Sequence, residues 1–290
     1  MYELLIAPFI EFNFMQRALM GMLMLSISTA PVGVFLMLRK MSLTGDAMSH
    51  AVLPGAAIGF LFAGLSVTAM TIGGLIAGSL VVLISGITAR KTDTGEDTNL
   101  AAFYLTSLAL GVMIISKSGS SVDLMHVLFG SALALDNTAL ILLYIICAMT
   151  LLTLTVIYRP LVLECVDPQY LKSVSRSGAI AHYLFLVLVV LNLVSGFHAM
   201  GTLMSVGLMI LPAAISRFWV QQLEPMIIVA MGLAMSACLA GLLLSFYFSV
   251  PTSSTIIVLL GAIYLLSVFI GLEKGILTQY LMRKRRHLSA

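Results

Sequence analysis

The feature that most constrains this chain is a succession of apolar runs, each roughly 20 residues long and separated by short polar breaks. At 1.5 Å of rise per residue, an apolar helix of about 20 residues crosses the hydrocarbon layer of a bilayer. Inside lipid every backbone amide must be satisfied within the chain, so such runs are helices and not irregular segments. They fall at about Phe14–Leu38, Met48–Leu65, Thr68–Thr88, Leu100–Ser116, Thr138–Ile157, Ala179–Val194, Met200–Phe218, Pro225–Phe248 and Ser253–Ile270. One further stretch, Val122–Leu135, is short and polar for a span. The fold class is therefore an all-α membrane protein, a bundle of roughly eight or nine transmembrane helices, forming a single domain over residues 1–290.

Charge supports this reading. Only 9% of residues are charged and 60% are hydrophobic, whereas a soluble domain needs about 25% charged residues to wet its surface. The net charge of +3 arises from basic loops and a basic tail at about 273–290, which argues against a nucleic-acid partner. Cys147 and Cys238 lie in apolar runs and Cys165 in a charged loop, a pattern that fits neither a disulfide framework nor a zinc knuckle. The chain carries no G-x-x-x-x-G-K-[ST] phosphate loop. Without that loop the chain is not expected to hydrolyse a nucleotide itself.

Lys and Arg in short loops set orientation. The tail Arg283-Lys284-Arg285-Arg286 places the C-terminus in the cytoplasm. Counting back puts the loops with Arg217, with Arg159, Lys172 and Arg176, with Arg90 and Lys91, and with Arg39 and Lys40 on the same side. The N-terminus is then outside for nine spans and inside for eight.

The segment Met41 to Gly55, MSLTGDAMSHAVLPG, concentrates the polar chemistry. Asp46 and His50 stand at i and i+4, one turn apart on one helix face. A carboxylate and an imidazole so placed form half a coordination shell for a divalent metal such as zinc or manganese. Ionisable groups entering a span point to function. A plainer reading also stands, in which Asp46 caps the helix and His50 sits at the interface. Gly45, Pro54 and Gly55 suggest a broken helix of the kind that lines transport cavities. The inside loop from Arg159 to Gly178, with Glu164, Asp167, Pro168, Lys172 and Arg176, is the longest, and Pro168 reads as a short helix start. Among the other histidines, His182 lies near the start of a span. His126 lies with Asp123 and Asp136 on an outside stretch, where a wet loop is the plainer reading and docking of a carrier protein the sharper one; His198, near an outside loop and Asn192, reads as a solvated histidine or as one that passes metal on from a binding protein.

The string MSLTGDAMSHAVLPG resembles the signature of the metal-ion permeases of ATP-binding-cassette importers. The run Gly201 to Ala214, GTLMSVGLMILPAA, resembles that family's late helix, and Leu128-Phe129-Gly130 with Ser131–Leu135 and Pro251–Ser254 resemble further family segments. The family's late helix is often followed by a small residue, whereas here Arg217 stands close behind and is read as snorkelling to the interface. The resemblance implies a permease for a divalent transition metal (zinc or manganese, with iron(II) as a further candidate) in the bacterial cytoplasmic (inner) membrane. It implies that Asp46 and His50 line the metal path, the metal being cargo and not a permanent cofactor. It implies a homodimer of permeases, a separate cytoplasmic ATP-binding subunit and an extracytoplasmic metal-binding protein. It also places the element that docks on the ATPase, a coupling loop at about 159–178, at Asp167, Lys172, Arg176 and Gly178, where the residues alone allow a connector lying on the membrane surface. The alternatives are an ATPase-independent secondary carrier or channel, and a permease for a metal chelate.

Overall fold

The computed structural model describes residues 7–64, 66–92, 96–118, 135–166, 177–273 and 275–277. The apolar runs within them are helical, as backbone satisfaction in lipid requires. A short α1 (Ala7–Glu11) leads into α2 (Asn13–Leu38), followed by α3 (Thr44–Ala51), α4 (Leu53–Ala63), α5 (Val67–Lys91) and α6 (Glu96–Ser118). Then come α7 (Asn137–Val166), α8 (Ser177–Met200), α9 (Thr202–Trp219), α10 (Leu223–Phe248) and α11 (Thr252–Ile270). Among the described residues, 9 candidate spans are long and apolar enough to cross a membrane, with α3 and α4 together making one of them.

α2 is the axis of the molecule. It packs against α7, α8, α9 and α10, and 72% of its most apolar stretch is buried. One core joins Met15, Met22 and Leu25 of α2 to Met204 and Leu208 of α9, Cys238 of α10 and Ile256 of α11. A second joins Phe35 and Leu36 of α2 to Met48 of α3, Leu161 of α7, and Phe185, Val189 and Leu193 of α8. The α2–α9 crossing is backbone to backbone: a Cβ on Gly33 would stand 1.7 Å from the carbonyl oxygen of Met209, so only glycine permits it. Buried hydroxyls return to their own helix, as Ser26 Oγ does to the Met22 carbonyl at 2.7 Å and Thr29 Oγ1 to that of Leu25 at 2.7 Å. Asn192 Nδ2 donates to Thr150 Oγ1 at 2.9 Å, pinning α8 to α7 inside the bundle.

Among the expected boundaries that the structure moves, two bear on the polar residues. The second span starts at Thr44, four residues before Met48, which brings both Asp46 and His50 into helix. The fifth continues to Val166, so residues 159–166, expected in the inside loop, belong to α7. Pro160 stands inside this extension. Packing outweighs its missing N–H, because Leu161 is wholly buried in the second core and Glu164 is held by α2 and α8.

Candidate metal site

The site is built by the way α2 stops. The Met41 N–H bonds the Leu36 carbonyl at 2.9 Å and the Lys40 N–H bonds that of Met37 at 3.1 Å. These paired bonds form a Schellman turn, with Leu36 and Met41 buried in one core as its apolar contact. Lys40 occupies the left-handed position, φ 60°, where glycine is usual and another residue costs on the order of 1 kcal/mol or more. The chain thereby doubles back and enters α3 within a few residues of leaving α2.

Asp46 lies in the first turn of α3 and His50 in its last. Asp46 is exposed and His50 half-buried, on one face as the i, i+4 spacing requires. Leu43 holds the N-cap position and makes no side-chain cap bond, so Asp46 is not the cap. Its carboxylate stands where the helix dipole favours negative charge. The His50 ring stacks on Tyr104 of α6, centroids 6.2 Å apart and planes at 29°. Neither Asp46 nor His50 has a side-chain hydrogen bond or ion pair among the described residues.

Just beyond His50 the helix breaks. Pro54 has no N–H for the His50 carbonyl, and the Ala51 carbonyl is instead bonded by Ser107 Oγ of α6 at 2.9 Å. Gly111 lies against Pro54, and a Cβ on Gly55 would come within 2.0 Å of the Gly73 carbonyl oxygen of α5. Backbone therefore crowds backbone around the break, and α3 is held to α6 at its far end. Tyr104, Ser107 and Gly111 were not singled out from the sequence. Their i, i+3, i+7 spacing on an otherwise apolar helix is the signal that could have found them.

Among the described residues no group of three or more His, Cys, Asp or Glu side chains could hold a metal. Asp46 and His50 thus offer one oxygen and one nitrogen, two of the four to six donors a divalent metal takes. Asp167, Lys172 and Arg176 lie outside the described residues, as do Asp123, His126, the side chain of His198 and residues 119–134; Gly178 is buried in the first turn of α8. Asp136 has a structural role, its carboxylate accepting the Ala139 N–H at 2.8 Å as the N-cap of α7. Arg217 ends α9, where a cation suits the dipole.

The profile of the ABC 3 transport family matches residues 11–271. The chain belongs to that family. Over 275 residues it is 33% identical to the manganese import system permease protein ScaB of Streptococcus gordonii, covering 94% of this chain and 96% of that one. It is 28% identical over 267 residues to the manganese transport system membrane protein MntC of Listeria monocytogenes, covering 92% and 94%. The solved structure of PsaBC from Streptococcus pneumoniae in complex with Fab superposes with a TM-score of 0.82 at 32% identity, over 98% of this chain and 100% of that one. The resemblance read from MSLTGDAMSHAVLPG is therefore borne out, and the chain is a multi-pass permease subunit of a metal-importing ATP-binding-cassette system.

Proposed function

We propose that this permease carries a divalent first-row metal, manganese before iron(II) or zinc, into the cytoplasm through a path lined by Asp46 and His50. The observation that carries the reading is the α3 face itself: a carboxylate and an imidazole one turn apart, accessible, and without a hydrogen-bonding or charged partner among the described residues. An unpaired charge entering a span is costly, and it persists where function uses it. Oxygen and nitrogen donors suit Mn²⁺, Fe²⁺ and Zn²⁺ alike; the names of ScaB and MntC favour manganese.

Two donors leave the ion half-coordinated, which supports two permease copies facing each other across the path, each giving an Asp46–His50 pair. An incomplete site also suits transport, since an ion held too tightly does not leave. The drive comes from a cytoplasmic ATP-binding subunit docked on residues 167–178, and the metal is delivered by an extracytoplasmic binding protein. The basic loops put that docking segment and the C-terminal tail in the cytoplasm of a bacterial cell. Family membership supports this over an ATPase-independent carrier.

Uptake of radiolabelled manganese into proteoliposomes holding the complete importer tests the reading. Asp46→Asn and His50→Ala should each lower uptake by about a hundredfold, and the double variant should lose little more, since two ligands of one ion act as a unit. Near-normal uptake by Asp46→Asn would sink the proposal. A chelate permease would show itself by equal uptake of chelated and free metal in the same vesicles.

A further inference from the structure

The bundle holds a second set of ionisable groups, and these are in contact with one another. Arg39, Glu164 and His182 come from three helices, α2, α7 and α8. Arg39 Nη2 lies 3.2 Å from Glu164 Oε1, and His182 Nδ1 lies 3.3 Å from the same oxygen. Arg39 also contacts His182 Nδ1 directly, and its guanidinium stands 5.2 Å from the centroid of the Phe185 ring on α8. Side-chain exposure is 8% for Arg39, 12% for Glu164 and 0% for His182. The Arg39 guanidinium, donating to Glu164 Oε1 and to His182 Nδ1, thus joins three helix ends inside the protein.

The sequence positions of these groups give the cluster its meaning. Glu164 comes three residues before Asp167 and His182 four after Gly178, so the cluster grips the chain on both sides of the segment 167–178. Arg39 is followed at once by Lys40, the left-handed turn that swings the chain into α3. From that turn to Asp46 there is no other break except the short Met41–Leu43 link, in which Thr44 N–H bonds the Met41 carbonyl at 3.0 Å and Ala47 N–H that of Leu43 at 3.1 Å. The far end of α3 is fixed to α6 through Ser107 and Tyr104. A displacement of α7 and α8 at the cluster therefore reaches the Asp46 end of α3 through the Lys40 turn, beside the direct packing of α8 on α3.

We propose that Arg39, Glu164 and His182 form a strut that carries ATPase-driven displacement of segment 167–178 into the Lys40 turn and so repositions Asp46 against His50. The three are positioning residues, acting on the metal through α3. A charge-assisted junction suits this task, because its geometry is directional where apolar contact is not. A left-handed lysine holds a small strain that a pull on Arg39 can release or deepen. The proposal rests on the reading of 167–178 as the ATPase-docking segment.

The experiment reads two rates in one preparation: manganese taken up and ATP hydrolysed by the complete importer in proteoliposomes. Glu164→Gln removes the charge at constant shape, Arg39→Lys keeps the charge but loses the planar fork, and Arg39→Glu with Glu164→Arg exchanges the partners. Metal moved per ATP should fall about tenfold in Glu164→Gln, less in Arg39→Lys, and recover in part in the exchanged pair, with hydrolysis retained throughout. A structural staple alone would lower both rates together with the amount of folded complex, and that result, or an unchanged ratio, overturns the strut. Asp167→Lys is the companion. Normal coupling in that variant overturns the docking reading and the strut with it, whereas uncoupling there beside normal coupling in Glu164→Gln overturns the strut alone. Should Glu164→Gln fail to assemble, the ratios of Arg39→Lys and the exchanged pair decide.

Discussion

The two sets of ionisable groups in this bundle lie close together in the chain, Arg39 seven residues before Asp46, yet they are treated in opposite ways. Arg39, Glu164 and His182 are drawn from three helices and contact one another in near-complete burial. Asp46 and His50 come from one helix, face outward from it, and have no hydrogen-bonding or charged partner among the described residues. Charge in a low-dielectric interior is tolerable only when it is paired or when something arrives to pair with it. The closed cluster meets the first condition within the chain. Under the proposed function the open pair meets the second through an incoming cation, and on that reading the contrast separates groups that hold the protein from groups that hold its cargo.

The sharpest way to break that contrast is to remove one member of the closed cluster outright. Glu164→Ala leaves the Arg39 guanidinium buried without its carboxylate and should lower stability by about 3–5 kcal/mol, read as a large fall in the melting temperature of the detergent-solubilised protein. If Asp46→Ala destabilised it as much, the open pair would be structural and the contrast would fail. A middle-sized effect comes from Asp136, a carboxylate of the structural kind on an exposed helix end. Asp136→Ala should cost about 1 kcal/mol of stability through the lost α7 cap and leave metal uptake unchanged; a loss of uptake would bring Asp136 into the path. Ser107→Ala takes away the donor to the Ala51 carbonyl at the helix break. It should cost about 1 kcal/mol and lower uptake by more than so small a destabilisation explains, because α3 loses its anchor. The smallest effect belongs to Asp46→Asn, which should change stability by no more than about 0.5 kcal/mol while uptake collapses. Thermal denaturation and uptake on the same preparation separate the two quantities.

Much of the site was legible because its parts are local. Asp46 and His50 are four residues apart, and helical geometry alone puts them on one face. The motif around them pointed to a metal permease, which the family and its relatives bear out. The remainder was hidden because its parts are remote. Arg39 and Glu164 are 125 residues apart and Arg39 and His182 143 apart; the first reads as a loop charge, the second as part of an inside loop, and the third as a stray histidine at the start of a span. The capping explanation for Asp46 was equally open until the N-cap position fell to Leu43.

The sequence by itself determined that the chain lives in a membrane, that it crosses as helices, and roughly where each crossing lies. Those properties follow from apolar length and from the need to satisfy each backbone amide within its own segment, which are local quantities. Tertiary structure alone decided that α7 runs through Pro160 to Val166, that Lys40 takes a left-handed turn, and that Ser107 of α6 bonds the Ala51 carbonyl where α3 breaks from α4. It alone decided which charges are paired and which are left open. Pairing depends on where three helix ends meet, and that is set by the packing of α2 against α7 and α8, a property that no stretch of the chain carries in isolation.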